Sequence, residues 1–134
     1  MTAQRMLSTY RQTEVQSRTP LELVVMLYDG GLAFIHQARA AIERGDIAAR
    51  RDATSRALAI VSQLQSTLNM EAGGDVARQL DELYAWVTGR LLKATADNSV
   101  EPLDEAARVL AMLRESWVSI ASGATEPQPV RGAA

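Results

Sequence analysis

The chain has 134 residues, of which 47 % are hydrophobic but only 4 % aromatic, and its formal net charge is −2. This length suits one domain with an aliphatic, helical core rather than a β-sandwich, and the absence of cysteine excludes disulfides, zinc–thiolate sites and thiol catalysis. The charge gives no reason to expect nucleic-acid or anionic-membrane binding, and no apolar run is long enough for a membrane span or a signal peptide, so a cytoplasmic protein is expected.

The first segment, residues 1–18, is polar and has only scattered apolar residues. Met6, Leu7 and Tyr10 have helical spacing over one or two turns, which is too short for a stable helix in water. We expect a mobile segment that becomes ordered when Tyr10 and its neighbours dock in a groove.

The first long helix is predicted over 21–44. Thr19 is a favourable N-cap, Pro20 suits the first helical position, and Glu22 completes a T-x-x-E capping box. Gly45 is typical of the residue just past a helix end.

This helix has two apolar stripes, whereas a helix on the outside of a bundle needs one. The stripes lie about 130–150° apart, so the helix either lies deep in a bundle or offers one stripe to another chain. The central Gly30–Gly31 pair costs about 1 kcal/mol per glycine, which favours close approach of another helix backbone or a local bend. One stripe consists of Leu21, Val24, Val25, Tyr28, Leu32 and Ile35, and the other of Leu23, Leu27, Phe34 and Ala38 with Gly30 in line.

Two more helices are predicted over about 47–70 and 75–96. Asp46 is expected to cap the first of them, and the stretch 71–74 (EAGG) is expected to form the turn between them. Trp86 lies roughly 100° from the centre of the later helix's stripe, at an edge or in solvent. That stripe consists of Val76, Leu80, Leu83, Val87 and Leu91.

A fourth helix is predicted between Ser99, as its N-cap, and Gly123, with Pro102 in its first turn. Its apolar spacing is typical of a bundle seam. The remaining residues, 124–134, contain two prolines and little apolar surface, which predicts a disordered tail. The fold class is therefore all-α: an antiparallel up-and-down four-helix bundle over 19–123, with a mobile N-terminal segment and a disordered tail.

The titratable residues do not form a catalytic or metal-binding pattern. The chain has one histidine, His36, and Ala33 stands where a Glu-x-x-His metal motif needs glutamate. We expect no catalytic residue, metal or cofactor, and a solvated His36. An alternative is a histidine phosphotransfer bundle, whose phospho-accepting sequence is only weakly matched by 36–40 (HQARA).

The surplus of apolar residues predicts a protein partner. Exposed apolar patches on soluble proteins usually mark interaction sites, and an aliphatic helical surface suits an amphipathic peptide in a groove. The second stripe of the first helix could instead join two copies in a plain dimerisation bundle.

Several motifs occur in the order and spacing of one known family. After Thr19–Pro20, the sequence MLYDGG at 26–31 resembles the family pattern S-P-x-x-L-I-x-M-L-Y-D-G, and ERGD at 43–46 resembles E-x-G-D. Further similarity lies at 68–74 (LNMEAGG), 80–84 (LDELY), 90–92 (RLL) and 113–117 (LRESW). On these residues the chain resembles the flagellin-specific export chaperone family, FliS.

The resemblance implies a small cytoplasmic bundle that binds the C-terminal segment of new flagellin. It also implies that the chaperone prevents premature polymerisation and aids delivery to the cytoplasmic domain of the flagellar export gate. No nucleic acid, membrane insertion or cofactor is implied, and we expect a monomer or weak homodimer. In the family, the flagellin segment lies in apolar grooves, part of which the segment around Tyr10 can cover when flagellin is absent.

The residues expected to contact flagellin come from four parts of the chain. Each of those on the helices could instead be buried in the bundle core. They are Met6, Leu7 and Tyr10; Ile60, Leu64 and Leu68; Leu83, Val87 and Leu91; and Val109 and Met112.

Overall fold

A computed structural model describes residues 19–123 of the chain. Within this range it contains four helices and no strand: α1 (Pro20–Arg44), α2 (Ile47–Ser66), α3 (Met70–Asp97) and α4 (Glu101–Ala121). The all-α four-helix bundle is thereby confirmed. The predictions of a mobile segment at 1–18 and a disordered tail at 124–134 lie outside the described residues.

The ends of α1 and the start of α2 form as the sequence predicts. The Thr19 hydroxyl accepts a hydrogen bond from the Glu22 amide at 3.2 Å, and the Thr19 amide donates to Glu22 Oε1 at 3.2 Å. Gly45 ends α1 in the left-handed region with φ +74°. Asp46 Oδ1 accepts from the Ala49 amide at 3.0 Å and so caps α2.

The connection between α2 and α3 differs from the prediction. Helix α2 ends at Ser66, not near 70, and α3 already begins at Met70 because Asn69 Oδ1 accepts from the Ala72 amide at 2.9 Å. The predicted break in the helical pattern is observed as a kink inside α3, where Gly74 has φ +52° and ψ −129°. A strong N-cap thus adds a helical turn before the glycine that interrupts the pattern.

The predicted N-cap of α4 is wrong. Val100 occupies that position without a side-chain hydrogen bond. Asn98, in the left-handed region with φ 53°, ends α3, and the Ser99 amide donates to the Ala94 carbonyl at 3.0 Å. Ser99 therefore belongs to the C-terminal cap of α3 rather than to the start of α4, whereas Pro102 lies in the first turn of α4 as predicted.

Helix α1 packs against α2 and α4, and α3 packs against the same two helices. Asp29 pairs with Arg114, and Arg39 pairs with Asp104. These two ion pairs join α1 and α4 in opposite residue order, as an antiparallel pair requires. For the other helix pairs, the up-and-down arrangement stays a prediction.

Most residues of both α1 stripes are buried in the core or pack against it, so α1 lies deep in the fold. Tyr28, Ile35 and Ala38 are in the buried core, and Leu27 and Phe34 pack against it. The second stripe therefore packs in part against the core of the bundle.

At the central glycines of α1, the nearest group from another helix is a side chain and not a backbone. The two glycines lie in a continuous helix, and their neighbour is the Ile60 side chain of α2. A Cβ at Gly31 would lie 3.1 Å from Ile60 Cγ2, whereas a Cβ at Gly30 would lie 3.5 Å from Ile60 Cδ1. The predicted close approach is therefore made by a side chain.

Candidate functional site

An apolar groove of about 580 Å³ lies at one end of the bundle. It is formed where α1 begins, α2 ends and α3 begins, with one side chain from α4. Its surface is mostly aliphatic, which suits an apolar peptide segment rather than a charged ligand. The lining includes Pro20, Leu21, Leu23, Val24 and Leu27 of α1, Gln63, Thr67 and Leu68 near the end of α2, Val76, Ala77, Leu80 and Tyr84 of α3, and Trp117 of α4.

A chain of three polar aromatic groups lies beneath this groove. The Trp117 indole N–H donates to the Tyr28 hydroxyl at 3.1 Å. The hydroxyl oxygens of Tyr28 and Tyr84 are 2.5 Å apart, and their rings pack at a centroid distance of 6.5 Å. Three helices are thus joined through two hydrogen bonds, of which the one between the tyrosines is buried and the one from Trp117 is partly buried.

Burial keeps both tyrosine hydroxyls protonated. It raises the pKa of Tyr28, and the neighbouring Tyr84 raises it further. Burial also raises the pKa of Tyr84 above its ordinary value of 10.0. Both hydroxyls are therefore neutral at physiological pH, where a tyrosine is already protonated at its ordinary pKa of 10.0.

A second apolar area, the α3–α4 patch, consists of Leu83, Trp86, Val109 and Met112. The first three border a shallow depression of about 380 Å³, and Met112 is 62 % exposed. The Arg90 guanidinium lies 5.8 Å from the centre of the Trp86 ring. The prediction that Trp86 lies at an edge or in solvent is confirmed, since its exposure is 41 %.

The sequence-predicted contact residues fall into separate environments. Leu68 lines the groove, and Ile60 is half-buried against the α1 glycines. Three of the residues predicted to contact flagellin are instead buried in the bundle core and offer no surface to a partner in this conformation. Those core residues are Leu64, Val87 and Leu91. Leu83, Val109 and Met112 lie on the α3–α4 patch, and Met6, Leu7 and Tyr10 lie outside the described residues.

Most groove residues were absent from that set of predicted contacts. Leu23 and Leu27 belong to the second stripe of α1, and Val76 and Leu80 begin the stripe of α3. The surplus apolar surface at the start of α1 was the available signal. Periodicity places these residues on a helix face, but only the packing shows that the face stays open at this end of the bundle.

The described residues contain no group of three acidic or histidine side chains that could hold a metal ion. His36 is exposed on α1, as predicted. Over 19–123, no helix combines the length and apolarity needed to cross a membrane.

Comparison with known proteins relates this groove-bearing bundle to one family. The family described as "Flagellar protein FliS" matches residues 3–124. The flagellar secretion chaperone FliS of Salmonella typhimurium is 34 % identical over 115 residues, which cover 85 % of each chain. The flagellar secretion chaperone FliSB of Pseudomonas aeruginosa is 32 % identical over 124 residues, covering 90 % of this chain and 98 % of the relative. The chain belongs to the FliS family, a family of flagellar secretion chaperones and not of enzymes.

Proposed function

We propose that this protein is a cytoplasmic chaperone that binds the C-terminal segment of flagellin in the apolar groove. Binding prevents premature polymerisation of flagellin and aids its delivery to the flagellar type III export apparatus. The observation that carries the proposal is the open, aliphatic groove in a member of a secretion-chaperone family.

The physical basis is folding coupled to binding. A disordered flagellin segment loses conformational entropy when it docks, so the affinity must come from a large apolar contact area. The groove supplies aliphatic side chains from three helices, and an amphipathic segment can place its apolar face against them.

In this proposal, the flagellin segment also contacts the surface of the bundle outside the groove. The α3–α4 patch, with exposed Met112, is a second contact area. The N-terminal residues Met6, Leu7 and Tyr10 cover part of the binding surface until flagellin displaces them. The complex, monomeric or weakly dimeric, then engages the cytoplasmic domain of the export gate.

A charge placed in the groove tests this assignment. Val76 lines the groove but lies outside the core cluster, so Val76→Glu is expected to leave the bundle folded. The carboxylate would lose water when flagellin docks, and we expect at least about tenfold weaker binding in calorimetry. Ile47→Glu is the matched control, because Ile47 is 57 % exposed at the other end of α2.

The two variants separate the possible outcomes. The proposal requires that Ile47→Glu binds within about twofold of the unsubstituted chain while Val76→Glu does not. Equal binding by both variants would show that flagellin docks elsewhere. Failure of the folded, unsubstituted chain to bind at all would refute the chaperone assignment itself.

A further inference from the structure

The side of α3 that points away from the core carries apolar residues where a bundle helix usually carries polar ones. The buried residues of α3, which include Tyr84, Val87 and Leu91, lie on one side of the helix. On the opposite side, Trp86 is 41 % exposed and Leu92 is 50 % exposed. We call this surface the outer face of α3, and its exposed residues are Glu82, Ala85, Trp86, Gly89, Leu92, Lys93 and Ala96.

Gly89 lies at the centre of the outer face. It is exposed, and a Cβ there would meet nothing within 4 Å. Glycine inside a helix costs about 1 kcal/mol relative to alanine, and the packing of the described bundle gives no reason for that cost. A glycine between two large exposed side chains leaves a shallow depression, into which the side chains of another helix can pack.

The apolar side chains are spaced symmetrically around Gly89. Trp86 precedes it by three residues and Leu92 follows it by three, so the two side chains flank the glycine at about 60° to either side. Along the helix axis they lie about 4.5 Å before and after Gly89. A second copy of α3 that runs antiparallel across Gly89 presents the same pattern in reverse, as a two-fold symmetric interface requires.

The charges on the outer face also favour an antiparallel second copy. Along the axis, Glu82 lies about 10.5 Å before Gly89 and Lys93 about 6 Å after it, on the same flank of the face. In an antiparallel pair centred on Gly89, Glu82 of each copy therefore lies within one helical turn of Lys93 of the other, whereas a parallel pair would place like charges side by side. Lys93 also pairs with Asp97 within α3 at 2.9 Å, and its side chain stays 52 % exposed to a further carboxylate.

We infer that a second copy of this chain packs antiparallel on the outer face of α3 and forms a two-fold symmetric dimer. Two ion pairs between Glu82 and Lys93 set the direction, and Leu92 of each copy packs near Ala85 of the other. The contact of a single helix pair is small, so the dimer is weak, with a dissociation constant on the order of 10–100 μM.

The dimer leaves the groove open. The groove residues Leu80 and Tyr84 lie on the core side of α3, opposite the outer face. The inference does not rest on the proposed function, because dimerisation needs only the chain itself.

Analytical ultracentrifugation of the full chain over about 5–500 μM measures the dimer. Leu92→Glu places a carboxylate in the contact, and we expect it to raise the dissociation constant at least about tenfold. The bundle should stay folded in circular dichroism, because Leu92 is half exposed. Met112→Glu is the matched control, since Met112 is 62 % exposed on α4, outside the outer face, and its association should stay within about twofold.

An exchange of charges tests the antiparallel direction. Glu82→Lys and Lys93→Glu each place like charges across the contact, so we expect each variant to weaken association about three- to tenfold. A chain that carries both substitutions restores opposite charges and should regain most of the lost association. A mere change in the fold of either variant would not give this rescue.

Four results would overturn the inference. One is a chain that stays monomeric at about 500 μM. Unchanged association of Leu92→Glu, or dissociation by Met112→Glu instead, would place the dimer contact on another surface. Absence of rescue in the chain with both charge substitutions would exclude the antiparallel pairing. Loss of flagellin binding by Leu92→Glu without a change in self-association would assign the outer face to flagellin.

Discussion

At the scale of single residues, the two central glycines of α1 have different surroundings although they are adjacent. A Cβ on Gly30 would make an ordinary contact with Ile60 at 3.5 Å, but a Cβ on Gly31 would be crowded at 3.1 Å from the same side chain. The sequence indicated a close approach at this pair. It could not distinguish the two positions, because the difference depends on the rotation of α1 against α2.

Gly30→Ala is expected to raise the free energy of unfolding by about 0.5–1 kcal/mol, because alanine loses less backbone entropy in a helix. Gly31→Ala should gain less or become destabilising, since Ile60 must shift to admit the new methyl group. Urea unfolding of both variants measures the difference. A larger gain from Gly31→Ala than from Gly30→Ala would contradict the packing described for α1 and α2.

At the scale of the elements, the sequence predicted helix ends well where a side chain forms the cap. Thr19 and Asp46 cap α1 and α2 as expected. Ser99 does not cap α4, because it follows the left-handed Asn98 and its amide donates to the Ala94 carbonyl at the end of α3. Competition between two helix ends for one short connection depends on backbone geometry, which residue preferences alone do not determine.

The kink in α3 gives a prediction at this scale. Gly74 has φ +52° and ψ −129°, a conformation that side chains with a Cβ rarely adopt. Gly74→Ala is expected to destabilise the bundle by about 1–3 kcal/mol in thermal or urea unfolding. Gly89→Ala is the control, since Gly89 lies inside α3 without a positive φ and a Cβ there meets nothing within 4 Å. That variant should be neutral or stabilising, and equal losses would contradict the strained kink.

In the candidate site, the helical spacing of apolar residues does not distinguish buried residues from groove residues. The sequence identified the apolar faces of α2 and α3, but it could not separate core positions such as Leu64 and Val87 from groove positions such as Leu68. All of them satisfy the same helical spacing. The distinction arises from the packing, because Leu68 lies just past the end of α2, where side chains of α1 and α3 line an open groove.

At the scale of the whole molecule, two partly exposed ion pairs join α1 and α4. Arg39 Nε donates to Asp104 Oδ1 at 2.8 Å, and Arg39 Nη2 donates to Asp104 Oδ2 at 3.2 Å. The hydrogen bond from Arg39 lowers the pKa of Asp104 below its ordinary 3.8. A carboxylate with a lowered folded-state pKa stabilises the fold above its unfolded pKa, and this contribution is lost as the pH falls through the folded value.

Asp104→Asn is therefore expected to lower the melting temperature by at most a few degrees at neutral pH, because Asp104 is 37 % exposed and solvent screens the pair. The difference from the unsubstituted chain should shrink as the pH drops below 3.8. Asp52→Asn is the control, since the Asp52–Arg56 pair lies within α2 and joins no two helices. A difference that grows with acidity would contradict the assigned role of Asp104.

The proposed function requires that this bundle binds the C-terminal segment of flagellin. Calorimetric titration of the full chain with that segment of its cognate flagellin tests it most directly. We expect tight one-to-one binding with a negative heat-capacity change, because apolar surface in the groove is buried. A chain that is shown to be folded by circular dichroism and yet gives no binding would contradict the account.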